Sequence, residues 1–197
     1  TTGAPGSSAA QHSQSPESWF MNIPGIKIVT PATPADAKGL LKTAIRGNDP
    51  VLFFEHKMLY GESGPVPEDP DFRVPFGEAA LVREGSDVTV IAVNIMVKKA
   101  LEAAAILEKE GLSVEVIDPR TLVPLDMETI TESIKKTHRL LVVNEGTRTC
   151  GYAGEIMARA YESAFDYLDA PIVRLTSKDV PIPYSQALEF EAFPSEA

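Results

Sequence analysis

Cys150 is the single cysteine in 197 residues, which excludes an internal disulfide framework and suits a reducing compartment. No apolar run approaches the roughly 20 residues that a membrane-crossing helix needs, and no signal peptide or targeting segment is read. Basic side chains are few: 18 Lys and Arg stand against 28 Asp and Glu, a formal net charge of −10 that argues against a nucleic-acid surface. The Gly-x-Gly-x-x-Gly fingerprint and the P-loop are both missing, so no phosphate-cradling motif is visible.

What is present is an alternation of strand and helix signals. With 44% hydrophobic and 23% charged residues the chain can bury a core. Ile26–Val29 reads as a strand, and Thr33-Pro34-Ala35-Asp36 as a helix start with an N-cap, a proline at the first position and an acid in the first turn. Ala37, Leu40, Leu41, Ala44 and Ile45 then follow the spacing of a core-facing stripe, Gly47 stops the helix, and Val51–Phe54 is a buried strand. The crossover rule makes that βαβ pair parallel. Residues 61–77 carry four prolines and three glycines and read as a linker. Beyond it, strands at Val88–Val93, Val114–Ile117, Leu140–Val143 and Ile172–Leu175 alternate with helices after Asn94, at Asp126–Lys136 and near 152–165. Strands apolar on both faces in this order predict a doubly wound, mostly parallel sheet. The organisation expected is 1–60, a linker at 61–77, and 78–197.

Few residues offer chemistry. His12, in Ala10-Gln11-His12-Ser13-Gln14-Ser15-Pro16, sits just before a helix start, a good place for a ligand contact; with no neighbouring Cys, His or carboxylate cluster it reads equally as a polar loop residue. His56 ends a strand and is read as structural. His138 follows two lysines at a helix end, where an imidazolium suits the helix dipole. Cys150 is read as a small buried hydrophobe. The Gly-containing loop 145–154 lies where parallel sheets bind ligands, but it has no nucleotide fingerprint. Residues 71–197 hold 21 of the acids and 13 of the bases, so the acidity belongs to the second part and can steer a basic partner or simply keep the surface soluble.

AQHSQS at 10–15, PGIKIVTPATPADAKGLL at 24–41, NDPVLFFEHKMLYG at 48–61, EVIDPRTLVPLD at 115–126 and LDAPIVRLTSKDVPIPYS at 168–185 together resemble, in order and over essentially the whole length, one family. It is the beta subunit of the thiamine-dependent decarboxylase component of 2-oxo acid dehydrogenase complexes, whose members act on pyruvate, branched-chain 2-oxo acids or acetoin. The resemblance implies a fold in which residues 1–60 are the later part of a pyrimidine-binding thiamine-fold domain and 78–197 a complete transketolase C-terminal-like domain. It implies thiamine-dependent oxidative decarboxylation with acyl transfer to lipoamide, most suited to pyruvate or acetoin, in the cytoplasm or, in a eukaryote, the mitochondrial matrix.

The same resemblance implies that His12 lies on the reactive side of the cofactor and assists acyl transfer. Thiamine diphosphate with magnesium would be shared with an alpha subunit in an alpha2beta2 heterotetramer. Members of the family carry a long stretch before the histidine loop, including the glutamate that bonds the aminopyrimidine ring. Thr1 starts almost upon that loop, so the sequence reads as a fragment without this glutamate, unable to activate the cofactor alone, and the far end also reads as short. A structural potassium site maps onto Ala44, Gly47 and Asp49, where Gly47 replaces a common acid; the same turn is also a plain helix C-cap. Glu162 and Asp166, four apart on one helical face, and Asp169 map onto a surface for the dihydrolipoyl acyltransferase core, or form a solvated acidic face. The alternatives are a non-catalytic assembly and docking module, or a related transketolase-like enzyme.

Overall fold

The computed structural model describes residues 1–4 and 6–195. Two short helices, α1 (Ala9–His12) and α2 (Glu17–Met21), precede a βαβ unit made of β1 (Lys27–Val29), α3 (Pro34–Arg46) and β2 (Val51–Phe53). The Thr33 hydroxyl accepts the Asp36 N–H at 3.1 Å and Pro34 takes the first helical position, so α3 begins where its cap residues direct. β1 and β2 are parallel, with Ile28 opposite Leu52.

The buried face of α3 differs from the expected stripe. Leu40 is fully buried, but Leu41 is 44% and Ile45 74% exposed. The cause is the linker, which forms no helix or strand between Leu59 and Ala80 yet packs Phe72, Val74 and Phe76 against Val29 and Leu40. Gly39 lies so close beneath it that a Cβ there would stand 2.9 Å from the Val74 nitrogen. The helix therefore turns Asp36, Gly39 and Leu40 inward, one step round from the periodic stripe.

The later elements are β3 (Ala80–Arg83), β4 (Val88–Ala92), α4 (Ile95–Leu107), β5 (Val114–Asp118), β6 (Thr121–Val123), α5 (Met127–Thr137), β7 (Leu140–Thr147), α6 (Tyr152–Ala164), β8 (Val173–Ser177) and α7 (Gln186–Phe190). Five strands form a sheet in the order β3-β5-β4-β7-β8; β3 is antiparallel and the rest are parallel. This is the mostly parallel doubly wound sheet expected. Successive strand residues point to opposite faces, so Val90, Ala92 and Val116 meet α4 while Ile91, Ile117 and Val142 meet α5 and α6.

β3 and β6 carry too little periodicity to be read from the sequence. β6 leaves the large sheet and pairs antiparallel with β1, Ile28 opposite Val123, giving a second sheet β2-β1-β6. That sheet draws an edge strand from beyond the linker, and Leu122 joins Ile28, Phe54 and Ile117 in one apolar core. Among the described residues no helix is long and apolar enough to cross a membrane.

Candidate functional site

The histidine loop is closed at its neck, where the Gly3 N–H donates to the Gln14 carbonyl at 2.9 Å. Below the neck Thr2 runs beside His56 beyond the end of β2, its N–H on the Glu55 carbonyl at 2.9 Å. Glycine is needed at position 3: its φ is +88°, and a Cβ would fall 2.0 Å from His56 Nε2. His12 closes α1 on the outer side of the loop with its side chain exposed. Its Nε2 lies 3.1 Å from the Gln11 carboxamide nitrogen. The Lys57 ammonium donates to the His12 carbonyl.

Three buried carboxylates lie around the base of this loop. Glu145, on β7, accepts from His56 Nε2 at 2.8 Å, from the Ser15 hydroxyl at 3.0 Å and from the Ala4 N–H at 3.3 Å. His56 Nδ1 accepts the Met58 N–H at 3.2 Å, which fixes the ring proton on Nε2, facing the carboxylate. Glu189, on α7, accepts the Gly6 and Ser7 N–H groups at 3.1 and 2.9 Å through Oε2, and Oε1 stands 3.5 Å from the Ser13 hydroxyl. Glu17, in the first turn of α2, accepts from the Thr2 hydroxyl at 2.9 Å, while its other oxygen is buried without a partner. Burial pushes the Glu17 carboxyl up to about 6, with the nearby Glu145 charge adding to the rise.

His56, read from the sequence as structural, is thus a buried rivet. Glu17, Glu145 and Glu189 had no local sequence signal as a group, since they are brought together from α2, β7 and α7. The sign that could have found them is an acid inside an apolar run, as in Val142-Val143-Asn144-Glu145 and Ala187-Leu188-Glu189-Phe190.

The remaining sequence candidates lie apart from the loop. In the turn after α3, the Ala44 carbonyl accepts the Gly47 N–H at 3.3 Å and the Asp49 carboxylate stands 3.7 Å from Lys27 Nζ, with Gly47 and Asp49 exposed. Glu162 lies on α6, which ends at Ala164, whereas Asp166 falls in the 3-10 turn Phe165–Tyr167 that follows a break at Ala164, so the two do not share one helix as their spacing predicted. Both are exposed, as is Asp169, and they flank in sequence Phe165 and Tyr167, which are 66% and 44% exposed. His138 caps α5 in the left-handed conformation, and its Nδ1 donates to the Tyr167 carbonyl at 2.8 Å. Cys150 is exposed rather than buried. It precedes the cap of α6 with φ +55°, a turn position whose backbone points the residue out of the core. At the start of α6, after the loop 145–154, the Tyr152 N–H donates to the Ser18 hydroxyl at 2.9 Å. Among the described residues no three His, Cys, Asp or Glu side chains converge as metal ligands.

Comparison with known families places residues 77–197 on the model of the transketolase C-terminal domain and residues 1–63 on that of the transketolase pyrimidine binding domain. The pyruvate dehydrogenase E1 component subunit beta of Rhizobium meliloti is 49% identical over 196 residues, covering 100% of this chain and 43% of the relative. The beta subunit of the acetoin:2,6-dichlorophenolindophenol oxidoreductase of Cupriavidus necator is 50% identical over 189 residues, 96% of this chain and 56% of that one. Among solved structures, a split gene transketolase described as an inactive beta4 tetramer superposes with a TM-score of 0.74 at 27% identity, over 100% of this chain and 61% of its own. The chain thus spans about half the length of the curated relatives it matches.

Proposed function

The chain belongs to the family of the transketolase C-terminal domain, and from that footing we propose that it is the beta-subunit portion of the thiamine-dependent decarboxylase component of a 2-oxo acid dehydrogenase complex. The substrate proposed is pyruvate or acetoin, as in the names of the relatives in Rhizobium meliloti and Cupriavidus necator. The observation that carries the reading is the exposed imidazole of His12 on a loop whose base is buried and hydrogen-bonded.

Thiamine diphosphate, when bound, supplies a nucleophilic carbon for a substrate carbonyl and an electron sink for the bond that breaks. The described residues suit its reacting end: the loop presents an imidazole, a carboxamide and hydroxyls. They do not suit its diphosphate end, having no phosphate-cradling glycine motif and, among the described residues, no side-chain cluster for magnesium. The diphosphate and magnesium are therefore assigned to an alpha subunit in an alpha2beta2 assembly.

His12 handles protons. One ring nitrogen can donate and the other accept once Gln11 swings aside, and imidazole is a side chain suited to both. In acyl transfer to lipoamide the S–S bond would break as one sulfur bonds the carbon that becomes the acyl carbonyl, so the disulfide is reduced and that carbon oxidised. The other sulfur leaves as a thiolate, and the ring would carry to it the proton released when the hydroxyl on that carbon becomes the carbonyl. Structural potassium is assigned to the carbonyls of Ala44 and Gly47 with the Asp49 carboxylate, oxygen ligands that suit a hard cation. Glu162, Asp166 and Asp169 are assigned to contact with the basic segment of the acyltransferase core. Their exposure near Phe165 and Tyr167 supports that assignment, and it also favours the second reading, a docking module without activity of its own.

The test is to produce the full-length protein with its alpha partner and to measure reduction of a lipoyl acceptor with pyruvate and with acetoin. Turnover with either substrate is the expected result. Assembly without turnover on either leaves the docking module as the function.

A further inference from the structure

We infer that Glu189 is a positioning residue for His12, a carboxylate from α7 that holds the histidine loop in its working shape. The inference rests on the proposed role of His12 in acyl transfer.

Residues 6–15, Gly-Ser-Ser-Ala-Ala-Gln-His-Ser-Gln-Ser, include no apolar side chain larger than alanine. The loop therefore has no hydrophobic anchor of its own, and its shape depends on hydrogen bonds. Its backbone also resists that shape: Ser7 and Ala9 have φ of +49° and +58°, values that residues with a Cβ rarely adopt. Glu145 fixes the neck, from Ala4 on one arm to Ser15 on the other. Farther out, toward His12, one oxygen of Glu189 takes two successive N–H groups, Gly6 and Ser7, and the other faces Ser13, the residue after His12. Glu189 thus bridges both arms of the loop on either side of α1, and it is itself fully buried. Charged acceptors make the stronger hydrogen bonds, and removing one leaves its donors unpaired. Lys57 adds a contact at the His12 carbonyl, from a half-exposed side chain.

The pattern of contacts sets a specific expectation for two substitutions. In Glu189→Gln the carboxamide oxygen can still take both N–H groups, and its nitrogen can donate to the Ser13 hydroxyl, which turns to accept. Glu189→Ala removes every contact. The experiment uses the complete enzyme assembled with its partner subunit. It reads hydrogen–deuterium exchange of peptides covering residues 6–14 and, separately, the rate of acyl transfer to lipoamide. Glu189→Ala should speed exchange in that segment about tenfold or more, the loss of charge-assisted bonds of this kind. It should also lower kcat for transfer with little change in KM for the 2-oxo acid. Glu189→Gln should restore both toward wild type, and Ser13→Ala, the mildest variant, should shift exchange in the same direction by less.

Wild-type exchange in Glu189→Ala, or a Gln variant as loose as the Ala one, overturns the inference. So does a loosened loop with full transfer in Glu189→Ala while His12→Ala is slow. Full transfer in both Glu189→Ala and His12→Ala instead overturns the reading of His12 as the proton carrier, whatever the exchange shows.

Discussion

Ile91, Ile117 and Val142 lie fully buried between the large sheet and helices α5 and α6, whereas the loop carrying His12 has nothing larger than alanine to bury between residues 6 and 15. The sheet is held by apolar area, worth about 1.5–3 kcal/mol for each such side chain fully buried, and that force has no direction. The loop is held by His56, Glu145 and Glu189, whose hydrogen bonds fix which atom faces which. The difference separates two tasks: the sheet makes the chain fold, and the carboxylates decide where one exposed imidazole stands.

The sharpest break in this comparison is a cavity in the sheet. Ile91→Ala should cost about 2–5 kcal/mol, seen in urea unfolding as a shift of every probe together, loop and sheet alike. Glu145→Ala should cost less, about 1–3 kcal/mol, because it strands the Ala4 N–H, the Ser15 hydroxyl and His56 Nε2–H. Its effect should be uneven, with exchange at residues 2–15 rising well before that of β4 and β7.

A pH series sharpens the same contrast. Asp118 is fully buried, with one oxygen on the Arg120 N–H at 2.8 Å and the other unpartnered. Burial, aided by the charge of Asp36, pushes its carboxyl from 3.8 up to about 7. The stability owed to the protonated form is therefore full below about pH 4 and is lost as pH rises through 7. Asp118→Asn should gain about 2–3 kcal/mol on wild type between pH 5 and pH 8, because the carboxyl that titrates near 7 loses about 1.4 kcal/mol per pH unit over that approach. The unpaired amide lowers the variant by the same amount at every pH and leaves this slope unchanged. A thermal midpoint difference that does not change with pH contradicts the assignment. Smallest in stability is the double change Glu162→Lys with Asp166→Lys on the exposed acidic face, within about 0.5 kcal/mol. The same variant should lose binding to a basic partner peptide in calorimetry, and unchanged binding would remove the docking role.

The division between sheet and loop also tracks what the sequence made legible. The Thr33 cap, the parallel β1–β2 pair and the alternating strands and helices from Val88 onward follow from local signals, which is why each appears where periodicity places it. β6 does not, since its partner β1 lies some ninety residues away and three residues carry no period. Leu41 and Ile45 have the right spacing for a core, but the linker packs the neighbouring face instead. The grouping of the loop's carboxylates was hidden for the same reason as β6: Glu145 and Glu189 act on Ala4, Gly6 and Ser7 across more than half the chain, so an acid beside an apolar run marks each one but not its partners.

One imidazole carries the proposed chemistry, so the most direct measurement is the rate of acyl transfer to lipoamide in the assembled enzyme carrying His12→Ala. The side chain is exposed and takes no part in the buried contacts, so the thermal midpoint should stay at the wild-type value. Transfer should fall roughly 10²–10⁴-fold, the usual loss when a positioned acid–base group is removed. Transfer at the wild-type rate would remove His12 from the chemistry.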